Sequence, residues 1–194
     1  MPIRKVEIQQ SIENAHASLK RVAEEISRIT FPEVNSFEFQ LLNLSDSYIE
    51  KVVKNAPACY AAKYKGTDFL YIFKLIDASD AEKSFIVGKF KQYRNIQSSE
   101  GFEGKKDLCR YNEQLSDYLY VGRSQKLRSR LRQHLGAANE GIFAMHMLRW
   151  SAGLACKIEV SFYEFESKDN LVIQALEDGL WESFSPMFGR KGEK

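Results

Sequence analysis

The stretch YLYVGRSQKLRSRLRQHLG, Tyr118–Gly136, constrains the fold more than any other part of the chain. It opens as an aromatic and β-branched strand, breaks at Gly122, and continues as a helix over about 125–135. From Arg123 to Arg132 it holds Arg123, Lys126, Arg128, Arg130 and Arg132, with no acid. Like charges at helical spacing repel, so a solvated helix ordinarily mixes signs. On a wheel advancing about 100° per residue, Leu127, Leu131 and Leu135 form the stripe that must be buried. Arg130 and His134 flank or enter that stripe, Arg128 and Arg132 take its other shoulder, and Ser129 and Gln133 face away. Burying a guanidinium is costly unless it is paired. Arg130 and His134 are therefore expected over a cleft. The alternative is an arginine whose stem only covers apolar surface.

The helix expected over 169–184 has the opposite oddity. Glu177 falls inside the arc of Val172, Ile173, Leu176, Leu180 and Phe184, near Trp181, while Asp178 and Glu182 fall on the wet face. A carboxylate so placed requires a cation, either a metal ion or the other half of a structural ion pair. Tyr120, on the strand feeding the basic helix, adds a phenol. Hydroxyl, guanidinium, imidazole and carboxylate together suit phosphodiester chemistry, in which a carboxylate-held metal and an arginine neutralise charge building on phosphate.

Residues 6–29 read as one long helix in which Ile8, Ile12, Ala15, Leu19, Val22, Ile26 and Ile29 repeat every seven residues. That seam either packs on its own domain or joins two copies in a homodimer through the 6–29 helix. Phe31-Pro32 ends the helix, and Ser45, Asp46 and Ser47 cap a short one to about Asn55. Ala58–Tyr64 and Phe69–Ile76 read as a hairpin about Lys65–Asp68, followed by a helix over about 78–93 and a linker at Ile96–Lys106. The remainder reads β-β-α-α-β-α. Asp107–Glu113 and Tyr118–Val121 form a hairpin, helices cover about 125–135 and 140–151, Cys156–Phe165 is a strand, and 169–184 closes the string. The expected class is α+β: a small three-stranded antiparallel sheet flanked by helices, preceded by a helical and α/β N-terminal region. Boundaries fall at 1–56, 57–106 and 107–194.

With 44% hydrophobic and 28% charged residues, the chain can bury a core. Its net charge of +2 means that affinity for a polyanion must come from local clustering. Cys59, Cys109 and Cys156 lie far apart without a C-x-x-C pair, as reduced thiols do. MPIRKVEIQQ lacks the apolar core of a signal peptide, and no run spans a bilayer, so a cytoplasmic protein is expected.

YVGRSQKLRSRLRQHL, at 120–135, resembles the second motif of the GIY-YIG nucleases: an aromatic-aliphatic-Gly triplet, Tyr120-Val121-Gly122, then a helix with arginine ten residues past the tyrosine, here Arg130. His134 matches a histidine of the family's homing-endonuclease branch. LEDGLWESFSPMFG, at 176–189, is similar to the late helix with its metal-binding glutamate and following proline, Glu177 and Pro186. The resemblance covers about 107–194 and implies a DNA endonuclease using one Mg²⁺ or Mn²⁺ held by Glu177. It implies catalytic roles for Tyr120, Arg130, His134 and the first-motif tyrosine, with Arg123, Lys126, Arg128 and Arg132 along the DNA backbone. Tyr111, nine residues before Tyr120, is taken as the first-motif tyrosine. Tyr60, which precedes a second triplet at Tyr71-Ile72-Phe73, is the alternative. Gly189 stands where the family commonly has asparagine, so one polar contact is either absent or supplied from elsewhere. A protein that kept the fold and lost turnover, binding nucleic acid or assembling with partners, is the second expectation. His146 reads equally as a core histidine or a further site group.

Overall fold

The computed structural model describes residues 5–58, 66–104, 106–137, 141–166 and 169–192. The elements run α1 (Lys5–Ser27), β1 (Asn35–Gln40), α2 (Asp46–Val52), β2 (Thr67–Ile76), α3 (Asp80–Ser98), β3 (Tyr118–Ser124), α4 (Leu127–Leu135), β4 (Lys157–Glu166) and α5 (Asn170–Phe184). The α+β class is as expected, but the sheet has four antiparallel strands rather than three, in the order β1-β4-β2-β3. NSFEFQ, too short and polar to stand out, becomes an edge strand because Phe39 reaches the core while its other residues pair along β4.

The central strand is β2. Its run FLYIFKLI is buried on both faces, as a strand between two neighbours and two helical layers must be. Leu70 faces α1 and α5, packing with Phe165, Val172, Ile173 and Leu176. Phe69, Tyr71 and Phe73 face α4, packing with Leu127, Leu131 and Leu135. The boundaries drawn at 56 and 106 therefore cross one sheet, which takes β1, β2 and the pair β3–β4 from the three stretches.

Two expected elements are absent, for a shared reason. Residues 107–113 form no hairpin with β3; they pair instead with two distant segments, through Cys109 N–H to Ala144 O and Asn112 N–H to Met187 O. Residues 141–151 form only a short 3₁₀ turn at Met147–Arg149, with His146 in the left-handed region at φ 46°. Asp107, fully buried, organises both. Its carboxylate accepts from Gln97 Nε2 (2.9 Å), from Arg149 (2.9 and 3.0 Å) and from the Gly141 N–H (3.3 Å). Those bonds outweigh the cost of burial and hold the Asp107 carboxyl below its usual value. Helical periodicity in 140–151 yields to this buried charge.

The first helix divides its seam. Val22, Ile26 and Ile29 pack on α5 and the sheet, and Arg21 binds Asp169 at 2.6 Å, whereas Ile8, Ile12 and Leu19 are exposed. The linker expected at Ile96–Lys106 begins as the last turn of α3, anchored by buried Gln97. Residues 59–65, which hold Tyr60 and most of the strand expected to pair with β2, lie outside the described residues. Cys109 and Cys156 are buried free thiols. No described helix is long and apolar enough to cross a membrane.

Candidate active site

Tyr71, Tyr120, Arg123, Arg130, Phe143, Glu177 and Arg190 line one cavity of about 360 Å³. Register assembles its floor. On adjacent strands Tyr71 lies opposite Gly122 and Phe73 opposite Tyr120, so the rings of Tyr71 and Tyr120 stack at 6.1 Å and 11°. Gly122 is required there for space, since an added Cβ would sit 2.6 Å from Tyr120 and 2.7 Å from the Tyr71 hydroxyl. A larger residue would push the two phenols apart.

Helix α4 begins three residues beyond Ser124 and turns Arg130 and His134 onto these rings, as the wheel requires. Arg130 Nε donates to the Tyr71 hydroxyl at 3.3 Å and Nη2 to the Tyr120 hydroxyl at 3.2 Å. Its Nη1 donates to Gln133 Oε1 (2.8 Å) and to the Phe143 carbonyl (3.0 Å), which fixes the plane of the guanidinium. His134 is fully buried. The Met145 N–H donates to its Nδ1 at 3.4 Å, which places the ring proton on Nε2, and Nε2 donates to the Tyr71 hydroxyl at 3.0 Å. Burial first, then the Arg130 charge, holds the His134 pKa well below the usual range, so the ring is neutral.

Tyr71 thus accepts two hydrogen bonds and keeps its own proton for the cavity. Burial pushes its pKa up to about 12 against the pull of Arg130. The Tyr120 pKa is raised further, by burial and then by Tyr71. Of the two phenols, Tyr71 is the easier to ionise.

Glu177 enters the same cavity from α5. Its carboxylate lies 3.3 Å from Arg123 Nε, and Arg123 also donates to the Asn170 side chain. Burial pushes the Glu177 pKa up to about 7 although Arg123 opposes it, so this charge is incompletely compensated. Among the described residues, no three His, Cys, Asp or Glu side chains cluster as metal ligands. An under-compensated single carboxylate facing a cavity fits a divalent cation whose remaining ligands are phosphate and water oxygens, a common arrangement for Mg²⁺.

Other expected site residues go elsewhere. Tyr111 is absent from the cavity lining; it bridges Phe188 and carries the Lys91 ammonium 4.5 Å above its ring. Arg128 donates to the carbonyls of Lys54 and Ala56, and Arg132 makes a two-pronged contact with Glu50 at 2.7 Å. Both reach α2 and the turn after it. Lys126 lines a shallower depression that adjoins the cavity at Arg130. His146 is buried, with Nε2 2.8 Å from the Ile142 carbonyl and 3.5 Å from Asp107.

Gly189 has a plain reason to be glycine. Its φ is +96°, and a Cβ there would lie 2.9 Å from the Tyr120 ring. An asparagine has no room, and the tail presents Arg190 to the cavity instead.

The sequence reading missed Tyr71. Its signal was a lone phenol in the otherwise apolar run FLYIF, whose hydroxyl needs a partner once the strand is buried. No family model, no curated protein and no solved structure matches the chain.

Proposed function

We propose that this protein is a metal-dependent endonuclease of GIY-YIG type that hydrolyses DNA phosphodiester bonds. One observation carries the reading: a single cavity gathers two phenols, a guanidinium bonded to both, and a partly buried carboxylate. The first-motif role passes from Tyr111 to Tyr71, the strand preceding Tyr120 in the sheet being β2.

Within this reading, Arg130 holds a non-bridging phosphate oxygen and stabilises the charge of the pentavalent state, its orientation already fixed before substrate arrives. Tyr71, as the phenolate, accepts the proton of the attacking water. The donors His134 Nε2–H and Arg130 Nε–H stabilise that phenolate, and neutral His134 cannot supply a competing acid. Burial keeps Tyr71 protonated in all but a small fraction of molecules at pH 7, so positive charge brought near it accelerates the reaction by raising that fraction. Glu177 would hold the divalent ion, whose contribution is Lewis-acid polarisation of the phosphate. Arg190 and Arg123 also line the cavity.

The deciding experiment incubates the protein with supercoiled plasmid, with and without Mn²⁺. Nicking that requires Mn²⁺ and disappears in Glu177→Gln supports the reading. DNA binding without turnover in either metal supports a protein that kept the site and lost catalysis.

A further inference from the structure

A second acid-free run lies outside α4. From Lys83 to Ser98, α3 carries Lys83, Lys89, Lys91 and Arg94 and no carboxylate, its acids Asp80 and Glu82 being confined to the first turn. Helix α3 packs beyond the edge of β3, where Phe90 meets Phe188 at 4.3 Å. Phe188 N–H bonds the Leu119 carbonyl, and Gly189 N–H bonds the Arg110 carbonyl, so the segments 187–189 and 110–112 continue outward from β3 toward α3.

Four cations decorate this extension. Arg190, one residue past Gly189, lines the cavity. Arg110 sits beside it through the Gly189 bond and is exposed. Lys91 is held over the Tyr111 ring, and Arg94 donates to the Cys109 carbonyl at 3.3 Å, which leaves most of its five donors unused. Among the described residues, Lys91, Arg94 and Arg110 make no ion pair with a carboxylate. Glu113 is the one acid in 108–114, and 186–190 has none.

We infer that Lys91, Arg94, Arg110 and Arg190 form a phosphate-tracking strip that holds the DNA strand running from the cavity toward α3. The inference rests on the nuclease reading and names where its substrate lies. The strip begins at the cavity rim, carries one sign of charge, and is fixed in place by backbone pairing and by Tyr111. Those features suit a regularly spaced polyanion. The role expected of Arg128 and Arg132 passes to it.

The test measures duplex binding against salt in the Glu177→Gln protein, which does not cut. Lys91→Gln/Arg110→Gln touches no cavity residue and should flatten the slope of log K against log salt by about two. Lys20→Gln/Lys157→Gln removes the same charge from α1 and β4 and should leave the slope unchanged. Equal slopes for the two double variants overturn the strip. If wild-type protein nicks plasmid and the slopes are equal, the strip alone falls. If the strip variant flattens the slope while wild-type protein never nicks, the strip stands and the nuclease reading falls. Absence of any DNA binding overturns both.

Discussion

Helices α3 and α4 are both basic, both free of acids over most of their length, and both packed into the same hydrophobic core, yet their charges end in different places. In α4 the guanidiniums turn inward or sideways: Arg130 into the cavity, Arg128 onto the carbonyls that end the turn after α2, Arg132 onto Glu50. In α3, Lys91 and Arg94 brace against the segment 109–111 and keep their charge at the surface. A run without acids shows only that the helix supplies no local counter-charge. Whether a counter-charge comes from elsewhere in the fold is decided by neighbours far away in sequence, here Glu50 and the carbonyls of Lys54 and Ala56 for α4.

The sharpest way to break this contrast is to remove one hydroxyl from each region. Tyr71→Phe, in the cavity under α4, should lower nicking by about 10²–10⁴-fold. It should also cost about 1–3 kcal/mol, because the buried His134 Nε2–H loses its acceptor. Tyr111→Phe, under α3, should nick at the wild-type rate. Comparable losses in both would restore Tyr111 to the chemistry.

Next in size is a gain. A carboxyl whose pKa is raised from its unfolded value of 4.5 to about 7 contributes stability below pH 4.5 that is lost as pH climbs through 7. Glu177→Gln should therefore raise stability at pH 8, by up to about 3 kcal/mol, while abolishing nicking. Between pH 6.5 and 8 the wild-type melting temperature should fall and that of the variant stay level. His134 is silent in that window, because its depressed pKa affects stability only below about 6.5. A variant that melts lower at pH 8 would make Glu177–Arg123 a structural pair.

A smaller effect distinguishes the two helices directly. Arg128→Gln should cost about 1–2 kcal/mol through its lost carbonyl bonds and leave the salt slope of DNA binding unchanged. Lys91→Gln should stay within about 0.5 kcal/mol of wild type and flatten that slope. The smallest effect concerns pH: at Mn²⁺ concentrations too low to saturate the site, nicking should rise as pH passes 7 and Glu177 ionises, and a rate flat from pH 6 to 8 under those conditions would remove Glu177 from metal binding.

Local periodicity made much of this legible. The strand–Gly–helix unit at 118–135, the inward turn of Arg130 and His134, and the partly buried Glu177 all follow from residues within a few turns of one another. What was not legible depends on pairings between distant segments. The wish for a tyrosine near Tyr120 in sequence led to Tyr111, whereas the sheet brings Tyr71 beside Tyr120 across the intervening segment 77–117. The helix read over 140–151 gives way because Asp107, remote in sequence, needs its N–H and guanidinium donors.

The sheet order also bears on how the chain comes together in time. None of its neighbouring strands is joined by a tight turn: β2 waits across 77–117 for β3 and across 77–156 for β4, and β1 across 41–156. Closing such loops precedes any reward from strand pairing, so folding should be slow for this size, limited by non-local contacts rather than by helix formation. The cavity draws on residues from Tyr71 to Arg190. A nascent chain still missing α5 therefore has helices and a basic surface but no complete cavity, which closes only after α5 and Arg190 have emerged.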